Sequence, residues 1–185
     1  ACIMIAPSLV LILLVATHVI PISKAVKLAY DLPTPISNAA RQPLQISNDP
    51  YTNSDSQHHT EVEPDTYSYG STIVAVFQAG RYRDSGSSNL GWATSTDGGN
   101  SWENGFLPGT TQVVQGPYTR ISDPSVSYDL DHSTWIISSV AIVGSGDSLA
   151  SPTILVNLSH DGGLTWSNPV KVVDGGSTYY DKDWI

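Results

Sequence analysis

The chain has 185 residues, with 8 Lys and Arg against 17 Asp and Glu, which gives a formal net charge of -9 at pH 7. This acidic balance argues against a nucleic-acid partner, because proteins that bind nucleic acids carry a basic surface. Only 14% of the residues are charged, and Gly, Ser, Thr, Asn and Pro are frequent, which favours short strands and turns over helices. The sequence runs from Ala1 to Ile185 without the usual signs of a natural start or end, so we interpret it as a piece of a longer gene product.

The amino-terminal segment is apolar and predicts export. No Asp, Glu, Lys or Arg occurs before Lys24. An apolar stretch of this length followed by small residues is typical of a signal peptide, which we place at residues 1–25. The alternative is an uncleaved membrane anchor, because about 20 apolar residues can span a bilayer. Both interpretations predict a secreted or extracellular protein, with membrane contact only if the segment is retained.

Residues 26–57 are rich in Pro, Ser and Asn, and four prolines interrupt any periodicity. This composition predicts a linker or a loosely packed lead-in, without a functional site.

From His58 onward the sequence repeats itself at about 60 residues. Residues 95–102 (STDGGNSW) recur at 159–166 (SHDGGLTW). An acidic residue also opens each repeat, at Glu63, Asp123 and Asp183. A period of this length indicates an architecture of repeated supersecondary units.

Each repeat carries the pattern of four short strands. Residues 71–78 (STIVAVFQ) match 133–140 (STWIISSV), and the apolar run predicts a strand that is buried on both faces. Four short strands, covered on both sides, describe one blade of an all-β propeller. We predict blades at 58–117 and 118–177 and the start of a third at 178–185. The alternative is a generic β-sandwich with a coincidental pair of motifs.

The repeated pattern Ser-x-Asp-x-Gly-x-x-Trp resembles the Asp box of the sialidase-type, or BNR-repeat, propellers. Its carboxylate can accept hydrogen bonds from its own turn, its second glycine permits a positive φ, and its tryptophan can bury a large apolar area. In that family the box lies on the rim, away from the catalytic face, so the resemblance implies a structural role. The residues concerned are Ser95, Asp97, Gly99, Trp102, Ser159, Asp161, Gly163 and Trp166.

The resemblance also implies a catalytic face. In sialidases an Arg and then an acidic residue stand between the second strand and the first Asp box, and here Arg81 and Asp84 occupy that stretch. By resemblance Arg81 contacts an acidic sugar and Asp84 is the general acid/base. The alternative is an exposed loop in which both side chains are solvated.

One departure from the family stands out. Where sialidases have Arg-Ile-Pro, this chain has Val62-Glu63-Pro64, so an acid stands beside the place of a carboxylate-binding Arg. The closest match to that opening is Arg120-Ile121-Ser122-Asp123-Pro124 in the next repeat. We therefore predict that Glu63, Arg120 and Asp123 join Arg81 in substrate binding.

The acids at 63, 123 and 183 leave three interpretations open. They are glycosidase carboxylates, since glycoside hydrolysis uses paired acids; or oxygen ligands of a Ca²⁺ ion; or partners of backbone and Arg groups at the blade starts. No other cofactor is expected. The leading functional hypothesis is a secreted glycoside hydrolase of the exo-α-sialidase type that acts on glycans. The alternative is a non-catalytic propeller that binds glycans or proteins.

Overall fold

The computed structural model describes residues 43–185, and its architecture is all-β, which confirms the predicted fold class. No α-helix occurs in this part of the chain, and two short 3-10 turns cover Gln112–Val114 and Gly146–Ser148. The strands, in chain order, are β1 (Glu61–Tyr69), β2 (Thr72–Arg81), β3 (Ser87–Ser95), β4 (Glu103–Phe106), β5 (Arg120–Asp129), β6 (Thr134–Val143), β7 (Ala150–Ser159) and β8 (Val170–Asp174).

The strands form two four-stranded antiparallel meanders, β1–β4 and β5–β8. A single bridge between Ser87 and Ile121 joins β3 to β5 and connects the two meanders into one sheet. Two four-stranded units are what the repeat predicts. Residues 175–185, where the start of a third unit is predicted, contain no strand. Their backbone contacts β7 at two points: the Gly175 N–H donates to the Pro152 carbonyl oxygen at 2.7 Å and the Tyr180 N–H to that of Ser151 at 3.0 Å.

An apolar core contains side chains from both meanders. Val76 and Trp92 from the first pack in one cluster with Trp135 and Ile137 from the second. Strand β2 is buried along most of its length, in agreement with its continuous apolar run. Burying large side chains of this kind contributes about 1.5–3 kcal/mol each to stability, so this core is the main force that holds the meanders together.

Polar contacts fix how the meanders meet. The Asp65 carboxylate, on β1, accepts hydrogen bonds from the Ser125 hydroxyl at 3.1 Å and from the Val126 backbone N–H at 2.9 Å, both on β5. The Thr94 hydroxyl, at the end of β3, donates to the Gly163 carbonyl oxygen at 2.7 Å. The turn that carries the second Asp-Gly-Gly sequence is thereby attached to the first meander.

The last part of the predicted linker packs against the first meander. The Asp49 carboxylate accepts backbone N–H groups of Tyr51 and Thr60, and the Tyr51 ring meets Phe106 edge-on at 5.1 Å. The Asn53 side chain is hydrogen bonded to the Tyr82 hydroxyl at 3.0 Å. The polar side chains that predict a linker therefore form the hydrogen bonds that hold this segment against the first meander.

The predicted export segment, residues 1–25, lies outside the described residues. No helix among residues 43–185 has the length and apolar character that crossing a bilayer requires.

Candidate functional site

The acids that open the two repeats stand on matching β-bulges. The pairing of β1 with β2 shifts between Val62 and Asp65, and the pairing of β5 with β6 shifts between Ser122 and Ser125. A bulge leaves an extra residue in one strand and redirects its side chain.

The bulged acids have an unusual backbone. Glu63 has φ 51° and Asp123 has φ 49°, and each precedes a proline. A non-glycine residue with positive φ costs about 1–3 kcal/mol, and such residues cluster at functional sites. The same backbone strain therefore occurs at the same position of both repeats.

Glu63 and Asp123 come together although they are 60 residues apart. Desolvation and a hydrogen bond with the Asp123 carboxyl group raise the pKa of Glu63, and repulsion from Asp123 acts in the same direction. Arg81 and Lys182 lower it by smaller amounts. The contact brings one carboxyl group from each repeat to the same point of the structure.

A third acid lies near this pair. Asp183 accepts a hydrogen bond from the Ser138 hydroxyl, and desolvation raises its pKa to about 6. The charge of Asp123 contributes to that shift, and the Lys182 ammonium lies 4.0 Å from the Asp123 carboxylate. The three acids at the 60-residue positions therefore share one electrostatic environment.

Gln78, on β2, connects the pair to the interior. Its side chain is 1% exposed, and its amide nitrogen donates to the Glu63 carboxylate and to the Ser122 hydroxyl. Its amide oxygen is buried and has no hydrogen-bond partner among residues 43–185. Sequence reasoning missed Gln78, and the signal was a single polar residue at the end of the apolar run 73–77.

Arg81 and Asp84, which the resemblance pairs, have different partners in the structure. The positive charge of Arg81 lowers the pKa of Glu63, and the Arg81 guanidinium donates to the Tyr82 carbonyl oxygen at 3.1 Å. Asp84 is ion-paired with Arg120, whose guanidinium also donates to the Ser85 carbonyl oxygen at 2.9 Å and lies over the Tyr82 ring, 4.4 Å from its centre. The hydrogen bond from Arg120 lowers the pKa of Asp84.

The Asp84–Arg120 pair borders an open cleft of about 840 Å³. Arg120 is buried, whereas the Asp84 side chain is 45% exposed. The cleft is polar, and its other lining residues include Ser54, Ser56, His58, Thr60, Arg83 and Ser145. A carboxylate that is held ionised by Arg120 is a poor proton donor at neutral pH, so Asp84 is better suited to fix Arg120 than to act as an acid.

Calcium binding gains no support from the geometry. Between residues 43 and 185, no group of three His, Cys, Asp or Glu side chains is placed to hold a metal ion. Asp183 lies near Glu63 and Asp123, but it is not placed to act with them as a third ligand of one metal ion.

The first Asp-Gly-Gly turn is closed by its aspartate. The Asp97 carboxylate accepts the Ser95 hydroxyl at 2.9 Å, the Asn100 and Ser101 backbone N–H groups at 3.0 and 2.9 Å, and the Ser101 hydroxyl at 2.6 Å. The Ser95 oxygen in turn accepts the Gly99 N–H at 2.8 Å. These bonds, led by the one from the Ser101 hydroxyl, lower the pKa of Asp97 to about 2.

The second turn has the same bonds. Asp161 accepts the Ser159 hydroxyl at 2.8 Å, the Leu164 and Thr165 backbone N–H groups at 3.1 and 2.9 Å, and the Thr165 hydroxyl at 2.5 Å. The Gly163 N–H donates to the Ser159 oxygen at 2.9 Å. Desolvation opposes these bonds, but together they lower the pKa of Asp161 to about 2.

The two tryptophans differ. Trp166 is buried in the core cluster, whereas Trp102 is only partly buried and donates from its indole nitrogen to the Gly99 carbonyl oxygen at 3.3 Å. Strand β4 follows Trp102 directly, but three residues separate Trp166 from β8. Both turns lie apart from the acid pair, which agrees with a structural role.

We expect Asp161→Ala to lower the free energy of unfolding by about 1–2 kcal/mol, as the loss of a side chain that caps backbone N–H groups does. Asp97→Ala is the matched control and should cost less, because only the second turn is attached to the other meander through Thr94. Urea unfolding followed by tryptophan fluorescence measures both values. Equal losses, or no loss for Asp161→Ala, would contradict the structural role of the second turn.

The sequence matches no protein-family model and no curated protein. Sixteen solved chains match by structure. One of them is the Hadza microbial sialidase Hz136, with a TM-score of 0.48 and 22% sequence identity, over 59% of this chain and 25% of that one. The chain thus spans about a quarter of that sialidase, and a likeness of this degree carries no conclusion about activity.

Proposed function

We propose that this chain is part of a secreted glycoside hydrolase built like the sialidases, in which Glu63 and Asp123 form the proton-donating carboxyl pair. The observation that carries the proposal is their contact across two repeats, with the pKa of Glu63 raised. Protonation of a glycosidic oxygen calls for a carboxyl group whose pKa is raised, and the direction of the shift at Glu63 fits that role.

Asp183 supplies the second carboxyl function. Glycosidases place two carboxyl groups about 5–10 Å apart on either side of the bond that breaks. Glu63 and Asp123 are in contact, so they count as one of these groups. Asp183 is outside hydrogen-bond contact with them, close enough for their charges to interact, and serves as the base or nucleophile.

The sequence resemblance names α-sialosides as the first substrates to test, with Arg81 as the guanidinium next to the acid pair. Arg120 and Asp123 remain candidate substrate-binding residues, and Asp84 orients Arg120. The apolar segment at residues 1–25 supports secretion. The resulting partner is a glycan or glycoconjugate.

A second candidate is a non-catalytic propeller that binds glycans or proteins. One observation favours it: the carboxylate that the resemblance assigns to catalysis, Asp84, is neutralised by Arg120. In that case the acid pair recognises hydroxyl groups without breaking a bond.

The test is hydrolysis of fluorogenic 4-methylumbelliferyl glycosides, both α-sialoside and neutral hexosides, by the full gene product. We expect turnover of at least one substrate and a loss of about 100-fold or more in kcat for Asp123→Asn, the usual effect of removing a general acid. Glu103→Gln, on the exposed strand β4, is the matched control and should keep full activity.

Two outcomes would change the assignment. If no substrate is hydrolysed while glycans still bind, the chain belongs to a non-catalytic binding protein and not to a hydrolase. If Asp84→Asn lowers kcat strongly and Asp123→Asn does not, Asp84 is the general acid.

A further inference from the structure

We propose that a pocket between the β1–β2 turn and the second Asp-Gly-Gly turn binds an uncharged pyranose ring, which stacks on the open face of the Tyr69 ring. This tyrosine pocket has a volume of about 420 Å³ and is lined by Tyr69, Gly70, Ser71, Thr72, Tyr128, Ser133, Trp135, His160 and Gly162. Its volume lies in the range of small-ligand sites, about 300–1,000 Å³.

The tyrosine pocket is a different place from the acid pair. Glu63 lies near the start of β1 and Tyr69 ends the strand, and at the rise of a β-strand the two residues are about 20 Å apart. Three turns of the chain surround the pocket, and they belong to both meanders. None of the acids at positions 63, 123 and 183 lines it, so a ligand bound there does not depend on the proposed hydrolase chemistry.

An open aromatic surface forms one wall of the pocket. Tyr69 and Tyr128 stack with their ring centres 4.4 Å apart and 19° between their planes. Tyr128 in turn packs on the buried Trp135, with ring centres 5.0 Å apart. Because Tyr128 covers one face of the Tyr69 ring and Tyr69 is still 48% exposed, the opposite face is open to a ligand. A ring that two others hold from behind is a preorganised stacking surface.

Polar groups border the aromatic wall. The residues with hydroxyl side chains that line the pocket are Ser71, Thr72 and Ser133. The Thr134 hydroxyl donates to the His132 carbonyl oxygen at 2.9 Å, so its oxygen accepts the Nδ1–H of His160 at 3.0 Å. In the neutral imidazole this arrangement leaves Nε2 as an acceptor. The pocket therefore combines an apolar face with groups that donate and accept hydrogen bonds.

This combination favours a sugar. Among the described residues that line the pocket there is no Lys, Arg, Asp or Glu, so it offers no ion pair to a charged ligand. A pyranose has C–H groups that pack on an aromatic ring and hydroxyl groups at its rim. Galactosides suit the Tyr69 ring best, because most of their ring C–H groups lie on one face.

The experiment is saturation-transfer NMR on the full gene product, with methyl β-galactoside as the probe. Hexaproline is the competing probe, because proline-rich peptides also dock on aromatic surfaces. We expect saturation transfer to methyl β-galactoside, strongest at the C–H groups of one ring face, and none to hexaproline.

Variants locate the bound sugar. Tyr69→Ala should raise the Kd of methyl β-galactoside by about tenfold, the loss that follows removal of an aromatic stack, and Tyr69→Phe should bind as the wild type does. His160→Ala removes an exposed side chain and should also weaken binding, so it decides the matter if Tyr69→Ala does not fold. Tyr179→Ala is the matched control, since Tyr179 is exposed and does not line the pocket. Thermal unfolding of each variant shows whether it is folded.

The outcomes separate this site from the proposed hydrolase. If no glycoside is hydrolysed but methyl β-galactoside binds in a way that depends on Tyr69, the hydrolase proposal fails and the tyrosine pocket stands. Binding that is unchanged in Tyr69→Ala and His160→Ala would place the sugar elsewhere and overturn the proposal, even where hydrolysis is seen. Saturation transfer to hexaproline alone, or to neither probe, would overturn it as well.

Discussion

Gly163→Ala is expected to destabilise the protein by about 1–3 kcal/mol more than Gly162→Ala, the usual cost of overpacking a core. Both glycines have positive φ, 83° and 84°, so the backbone strain of an added Cβ is nearly the same in the two variants. The two variants differ in the space that is available to the added Cβ. A Cβ on Gly163 would lie 2.8 Å from a Val74 methyl group and 3.0 Å from the Thr94 hydroxyl, whereas a Cβ on Gly162 meets only a Thr96 methyl group at 3.9 Å.

The clash at Gly163 has no inexpensive relief. Val74 is fully buried and β-branched, so its methyl group cannot rotate away without a new clash. The Thr94 hydroxyl is the group that donates to the Gly163 carbonyl oxygen, so any shift of the turn also weakens the contact between the meanders.

Urea unfolding of the two variants, followed by tryptophan fluorescence, measures the difference. Two effects are common to both variants and cancel in the comparison: the strain of a positive φ, which destabilises, and the lower entropy of the unfolded chain, which stabilises. Equal stabilities would mean that the second turn is not packed against the first meander. A double variant with Val74→Ala should recover part of the loss, because it removes the methyl group that the new Cβ meets.

Most of the fold could be predicted because the repeat carries several independent signals. The apolar run at 73–77, the recurring Asp-Gly-Gly turns and the even spacing all require short strands, and local and tertiary preferences agree there. Residues 49–56 show where this reasoning ends. The proline at position 50 and the polar side chains around it predict a linker, but the groups to which these side chains bond depend on the neighbouring strands and not on the local pattern.

The candidate site was predictable only in part. The 60-residue spacing places Glu63 and Asp123 at matching points of the fold, and their proximity follows from neighbouring repeats. Pro64 and Pro124 signal an interruption at these points, because a proline cannot donate to a strand ladder and stands mainly at edges and bulges. They do not fix the resulting register or the direction of the acidic side chains. The partner of Asp84 could not be read from the sequence either: Arg120 is 36 residues away, and only the packing of β5 beside β3 brings it there.

Lowering the pH from 6 to 4 is expected to stabilise the protein by about 1–2 kcal/mol, and Asp183→Asn should remove most of that dependence. Desolvation, partly offset by the Ser138 hydroxyl, raises the pKa of Asp183 from its ordinary value of 3.8 to about 6 in the folded chain. Between these values the folded state keeps a proton that the unfolded state has lost. The free energy of unfolding therefore falls as the pH rises through this window and is level above it, and the partial solvent exposure of Asp183 moderates the effect.

Other carboxyl groups also affect how the free energy of unfolding depends on pH. The raised pKa of Glu63 acts in the same direction as that of Asp183. Asp97 and Asp161, with pKa values of about 2, contribute stability that is present above 3.8 and is lost only as the pH falls toward 2. The maximum of stability should therefore lie near pH 4, on the acidic side of neutrality.

Chemical denaturation at intervals between pH 3 and pH 8 measures this dependence in the wild-type protein and in Asp183→Asn. The Asn side chain keeps an oxygen that can accept from Ser138 but does not titrate, so the variant should keep only the smaller slope that Glu63 contributes. Asp181→Asn, two residues away and exposed, makes the same charge change and should leave the wild-type slope intact. A wild-type stability that rises from pH 4 to pH 6 would show that the Asp183 carboxyl group is solvated and ionised there. The acid pair would then have no third carboxyl group held close to it.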